Sequence, residues 1–148
     1  VKFVAEKNRR RRNKQNLRLN LFTKMSEYLY KSENFKIVGL CMEIHRILGN
    51  GLLEVVYKDA LEFELKQQEI PYAREKEYAV QYKGVILPHK FYADFVVYDD
   101  IILEVKALNE ISKEHIAQTM NYIKLTKGKL GLIVNFGTTS LQHKRIII

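Results

Sequence analysis

Between Phe91 and Lys106 the chain is dominated by apolar, aromatic and β-branched residues, and its few charges fall at fixed places. The run Asp94-Phe95-Val96-Val97-Tyr98-Asp99-Asp100-Ile101-Ile102-Leu103-Glu104-Val105-Lys106 reads as two strands joined at a turn marked by Asp99-Asp100. Successive strand residues point to opposite faces. Phe95, Val97, Ile101, Leu103 and Val105 can therefore form one apolar face, while Glu104 and Lys106 point together to the other. Asp94 joins them only in some registers. A two-residue turn at Asp99-Asp100 would pair Asp94 with Val105 and put its carboxylate on the wrong face. The site therefore requires an odd-length loop, or a bulge, between these strands.

Two carboxylates held close repel each other and raise one another's pKa unless a cation joins them. Hard oxygen ligands suit Mg²⁺ or Mn²⁺, which keep waters and bind substrate phosphate. A lysine beside such an ion can orient or deprotonate the attacking water, or neutralise charge in the transition state. Asp94 with Glu104-x-Lys106 is thus a candidate phosphodiester-hydrolysis site. The same alternation also describes a solvated sheet face, so the pattern alone leaves both readings open.

The rest of the chain frames this hairpin. Glu33 to about Gly49 is helical, with a broad apolar face from Phe35, Ile37, Val38, Leu40, Cys41, Met42, Ile44 and Ile47. Gly49-Asn50-Gly51 is a break whose Asn50 can cap the next helix. That second helix covers about Leu52 to Gln68, and Pro71 stops it. Glu77–Tyr82 reads as a strand, Lys83-Gly84 as a turn, and Val85–Leu87 as a strand that pairs back. Phe91–Tyr98 and Ile101–Lys106 are strands. Ser112 caps a helix over Lys113–Thr126, and the last strands are Leu130–Phe136 and Gln142–Ile148.

Charge narrows the function. The chain of 148 residues has a net charge of +8, but residues 1–24 hold nine basic residues against one acid, Glu6. Residues 25–148 hold sixteen of each, so the body is neutral and is not a basic nucleic-acid binder by composition. Residues 1–30 are read as a basic N-terminal arm, either a flexible leader or a stretch upstream of the natural start. The chain opens on Val1, and its first methionine is Met25. Residues 31–148 are read as one domain. A single cysteine, Cys41, excludes an internal disulfide framework and fits a reducing compartment. No secretory signal and no apolar run of roughly 18–20 residues is present, so a cytoplasmic protein without membrane partners is expected.

Gly51-Leu52-Leu53-Glu54-Val55-Val56-Tyr57, preceded by Glu43-Ile44-His45-Arg46-Ile47-Leu48-Gly49, resembles the GxxExxY proteins. These are a small bacterial group in the PD-(D/E)XK nuclease-like superfamily. Further matches come in order: Ala60-Leu61 with Glu64-Leu65, Tyr92-Ala93-Asp94, Glu104-Val105-Lys106-Ala107, Gln118 with Asn121-Tyr122, and Gly131-Leu132 with Asn135-Phe136-Gly137. The resemblance runs from about Phe35 to Ile147. Ala93 stands where the superfamily nominally has Pro, and Asn50 where the group tends to have Pro.

The resemblance implies an α/β fold with a restriction-endonuclease-like αβββαβ core, a mixed central sheet flanked by helices. It also implies roles. Asp94 and Glu104, helped by the Val105 carbonyl and by Glu54, would ligate Mg²⁺ or Mn²⁺, and Lys106 would serve the water. Gln118-Thr119-Met120-Asn121-Tyr122 is similar to the Gln-x-x-x-Tyr element of RecB-like nucleases. Gln118, Tyr122 and His115 share a helical face and are candidates for substrate binding, as is Tyr57, one turn after Glu54. A carboxylate at Glu54 is also what a helix N-terminus favours on its own, and His45 reads as a packed, hydrogen-bonded residue. Two functions are expected. One is a metal-dependent nuclease, a phosphodiesterase acting on DNA, with RNA second, as a homodimer if it cuts both strands. The other is a non-catalytic nucleic-acid-binding or regulatory module that keeps the fold, for which the neutral body is the best support.

Overall fold

The computed structural model describes residues 1–28 and 30–148; Leu29, within the stretch assigned to the arm, lies outside the described residues. The chain divides into two compact units, Val1–Lys31 and Ser32–Ile148. The first is helix α1 (Lys2–Tyr28). The like-charge block predicts a flexible leader, but the segment contains no Gly or Pro and is rich in Arg, Lys and Leu, all good helix formers. Its charges fall on all sides, and residues 1–25 are exposed.

The second unit contains α2 (Lys31–Leu48) from its second residue on, α3 (Glu54–Gln67), β1 (Tyr72–Tyr82), β2 (Val85–Val97) and β3 (Ile101–Lys106), then α4 (Lys113–Thr126), β4 (Leu130–Asn135) and β5 (Gln142–Ile146). The five strands form one sheet in the order β1-β2-β3-β4-β5. Only β3 and β4 pair in parallel; the other neighbours are antiparallel. The expected αβββαβ order is present as α3, β1 to β3, α4 and β4, with β5 added at the edge.

Each element is explained by local chemistry. On α2 only the narrow stripe of Ile37, Val38, Cys41 and Ile44 is buried. Phe35, Met42 and Ile47, expected in the apolar face, are exposed. Helix α3 buries Tyr57, Leu61 and Leu65, four residues apart on one face. The sequence predicts Asn50 as its cap, but Leu53 occupies that position and offers no side-chain hydrogen bond. Tyr57 fastens the break instead. Its hydroxyl donates to the Gly49 carbonyl (2.6 Å) and accepts from the Leu52 N–H (3.2 Å). Helix α4 has the predicted cap, with Ser112 Oγ accepting from the His115 N–H and His115 Nδ1 accepting from the Ser112 N–H.

Strands β3 and β4 are buried along nearly their whole length, as expected for a parallel pair covered on both faces. On one face Val96, Ile102, Ile133 and Ile146 cluster with Ile123 of α4. By alternation Leu103, Val105, Leu132 and Val134, all fully buried, point to the other. Strand β1 begins at Tyr72, five residues before the predicted start, and β2 is continuous through the Leu87–Lys90 stretch. Lys83 and Gly84 both have positive φ (48° and 77°), the two-residue turn that matches hairpin twist.

Candidate active site

The β2–β3 loop consists of Tyr98, Asp99 and Asp100, three residues, with Tyr98 and Asp99 in the left-handed region (φ 52° and 64°). Its odd length sets the register: Phe95 pairs with Leu103, Val96 with Ile102 and Val97 with Ile101. One step further, Asp94 stands opposite Glu104. The Asp94 N–H lies 3.4 Å from Glu104 Oε1, and the Val105 N–H donates to Asp94 Oδ2 at 2.9 Å. The hairpin thus puts both carboxylates together, as the odd-length loop requires.

Burial removes the solvated-face reading of this alternation. Asp94 is 8% exposed and Glu104 3%. A solvated sheet face would leave such side chains in water. Burial pushes the Glu104 carboxyl up to about 8; repulsion from Asp94 adds to this, and Lys106 draws it back down. The Tyr122 hydroxyl is also raised, first by burial and then by the negative charges of Glu104 and Asp94. Tyr122 therefore borders the pair from α4, its ring stacked on Phe91 (4.6 Å), which in turn stacks on Tyr78 (5.2 Å).

A lysine that the sequence reading does not single out completes the cluster. Lys58 Nζ lies 2.7 Å from Asp94 Oδ1, 3.0 Å from Glu75 Oε1 and 3.5 Å from Glu54 Oε1. Burial alone would lower its pKa; Asp94 and Glu75 overcome that and raise it. Glu75 opposes Asp94 from β1 and has a positive φ of 50°, an uncommon geometry for a non-glycine strand residue. The one available sequence signal is the Glu54–Lys58 spacing of four on a helix. Nothing in the sequence says that Asp94 and Glu75 come to the same ammonium.

The other predicted site residues fall in different places. Glu54 opens α3 and reaches the cluster through Lys58. Tyr57 is fully buried, its ring stacked on Phe136 (4.5 Å) and its hydroxyl bound to the Gly49–Leu52 break. Contact with a substrate does not fit that position, and Tyr57 is corrected to a core residue that fastens the turn before α3. His115 has its Nδ1 taken up in the α4 cap, and Gln118 is exposed. His45 is packed as expected, Nε2 2.8 Å from the Thr138 carbonyl oxygen.

The Gly131-Leu132 and Asn135-Phe136-Gly137 segments prove to be scaffold. Buried Asn135 accepts from the Leu108 N–H (2.8 Å) and donates to the Leu108 carbonyl (3.0 Å); Phe136 N–H donates to the Lys106 carbonyl (2.8 Å). A Cβ at Gly137 would lie 2.2 Å from the Leu108 carbonyl oxygen. These contacts fix the chain as it leaves Lys106.

Among the described residues no three carboxylate, imidazole or thiol side chains converge as a metal cage. The donor set nevertheless fits a hard divalent ion in one respect. Two buried carboxylates face each other, and an ammonium already neutralises one of them, so the position favours a cation. Asp94 and Glu104 would hold such an ion.

No curated protein matches the chain. The crystal structure of SSO0001 is similar in fold, with a TM-score of 0.54 and 20% sequence identity; the match covers 80% of this chain and 60% of that one. The profile of the PD-(D/E)XK nuclease superfamily matches residues 31–146, a span that contains Glu54, Asp94, Glu104 and Lys106. On that match, and on the mixed sheet that brings Asp94 to Glu104, the chain belongs to the PD-(D/E)XK nuclease superfamily.

Proposed function

We propose that the protein is a metal-dependent nuclease of the GxxExxY type, hydrolysing phosphodiester bonds in DNA. The observation that carries this reading is the buried pair Asp94 and Glu104, opposite one another with Lys106 two residues on. A divalent ion bound there, Mg²⁺ or Mn²⁺, supplies a polarised water and neutralises charge on the phosphate. Asp94 and Glu104 hold the ion, with the Val105 carbonyl and Glu54 as further oxygens within this part of the fold. Lys106 orients the attacking water and offsets the charge that develops on the phosphoryl oxygens. Tyr122, beside the carboxylates, and exposed Gln118 on the same helix contact the nucleic acid. One such site serves one strand, so cleavage of a duplex uses two copies of the chain.

The neutral body supports a second reading, a nucleic-acid-binding or regulatory module that retains the fold, since phosphate-binding surfaces are ordinarily basic. Labelled single-stranded, duplex and branched DNA, offered with Mg²⁺ or Mn²⁺, separates the two. The nuclease reading expects cleavage that falls at least about a hundredfold in Asp94→Ala and in Lys106→Ala. Binding without cleavage on every substrate supports the module. Cleavage surviving both substitutions excludes this site.

A further inference from the structure

Lys58 is the centre of the charge cluster rather than a surface lysine. Its side chain is 12% exposed, and its ammonium touches Asp94, Glu75 and Glu54 from three different elements: β2, β1 and the first turn of α3. Its shortest contact is to Asp94 Oδ1. The other oxygen of Asp94, Oδ2, is already engaged by the Val105 N–H. Each oxygen of Asp94 thus has one partner, a fixed backbone N–H on Oδ2 and a movable ammonium on Oδ1, so an ion bound at Oδ1 meets the lysine.

We propose that Lys58 is an exchangeable counter-cation, which neutralises Asp94 in the metal-free protein and withdraws from it when a divalent ion binds. This rests on the metal-dependent reading above and concerns how the site is loaded. A hard ion requires its oxygens at roughly 2.0–2.1 Å in near-ideal octahedral geometry. An ammonium 2.7 Å from the same oxygen would sit a few ångströms from a divalent charge, in a buried setting where like charges repel strongly. Glu75 provides the alternative anchor. It is about half exposed, at 49%, so the ammonium can remain paired with it nearer solvent after releasing Asp94. Lys58 thereby lowers the affinity for metal while keeping the empty site from carrying an uncompensated buried charge.

Calorimetric titration of Mn²⁺ into the full chain tests this without measuring catalysis. Lys58→Met is expected to bind Mn²⁺ about tenfold or more tightly than wild type, to melt at a lower temperature without metal, and to regain stability on adding Mn²⁺. Glu75→Gln removes the alternative anchor and is expected to weaken Mn²⁺ binding. This half-exposed position gives an independent test should Lys58→Met fail to fold. Equal or weaker binding by Lys58→Met, or unchanged binding by Glu75→Gln, overturns the role of Lys58 alone. No Mn²⁺ binding by wild type and Lys58→Met, or undiminished binding by Asp94→Asn, overturns the metal-dependent reading together with it.

Discussion

At Glu104 a carboxyl group is nearly sealed from water, faces Asp94 across a hairpin and is held above the ordinary carboxylate range, to about 8 from 4.5. The consequence for stability has a definite sign. The folded protein keeps the Glu104 proton up to about pH 8, whereas the unfolded chain releases it near 4.5, so the folded state binds more protons in between. This contribution is complete below the lower value and is lost as pH rises through the upper one. Thermal melts in the presence of a chelator should show the melting temperature falling between about pH 5 and pH 8. Glu104→Gln, which stays neutral, should remove that part of the slope; an unchanged slope would mean that Glu104 is already ionised at the acid end of this range.

The meeting of Asp94 with Glu104 is legible in the sequence because a hairpin has a period of two and a register set by loop length. The three-residue loop is what placing both carboxylates on one face requires. Lys58 and Glu75 are not legible, because their meeting depends on how α3 packs against the sheet in which β1 pairs with β2, which no local pattern encodes. Tyr57 is misread from the sequence for the same reason. Helical spacing places it on the face of Glu54, but only the packed structure shows its hydroxyl bound to the Gly49 carbonyl and its ring against Phe136.

At the scale of elements, the segments joining β3 and β4 to their surroundings are held by close backbone approach. A Cβ at Gly137 would meet the backbone of Leu108 at 2.2 Å and 2.4 Å, and that backbone is itself fixed by Asn135. At Gly131 the nearest atoms are the side-chain ends of Ile123 (2.7 Å) and Thr119 (2.8 Å). Methyl groups can shift where a fixed backbone cannot. Gly137→Ala is therefore expected to cost about 3 kcal/mol, at the upper end for overpacking, and Gly131→Ala about 1 kcal/mol. Denaturant unfolding of the two variants checks the order, and equal losses would contradict it. Helices α2 and α4 and most of the strands are readable from periodicity and turn chemistry. The early start of β1 is hidden because Arg74, Glu75 and Lys76 look like loop residues, yet two of these charges are used: Arg74 pairs with Asp59 (2.7 Å) and Glu75 with Lys58.

For the molecule as a whole, charge separates along the chain. Helix α1 carries the basic excess, and the second unit holds the carboxylate pair and Lys106. Removing residues 1–30 should leave the melting behaviour of the remaining unit and its Mn²⁺ binding unchanged. If α1 grips phosphates, the slope of log affinity for duplex DNA against log salt should become shallower, by roughly 0.9 for each phosphate that α1 neutralises. A slope that does not change would show that α1 grips no phosphate. Among the described residues, no helix is long and apolar enough to cross a membrane.

Asp94 and Glu104 are proposed above all as the seat of a catalytic divalent ion. Anomalous diffraction from crystals soaked in saturating Mn²⁺ tests this most directly. A peak is expected between the two carboxyl groups, within bonding distance of Asp94 and Glu104, with the Lys58 ammonium turned toward Glu75. Full Mn²⁺ occupancy elsewhere in the chain, with Lys58 still on Asp94 and no peak between the carboxylates, would contradict it.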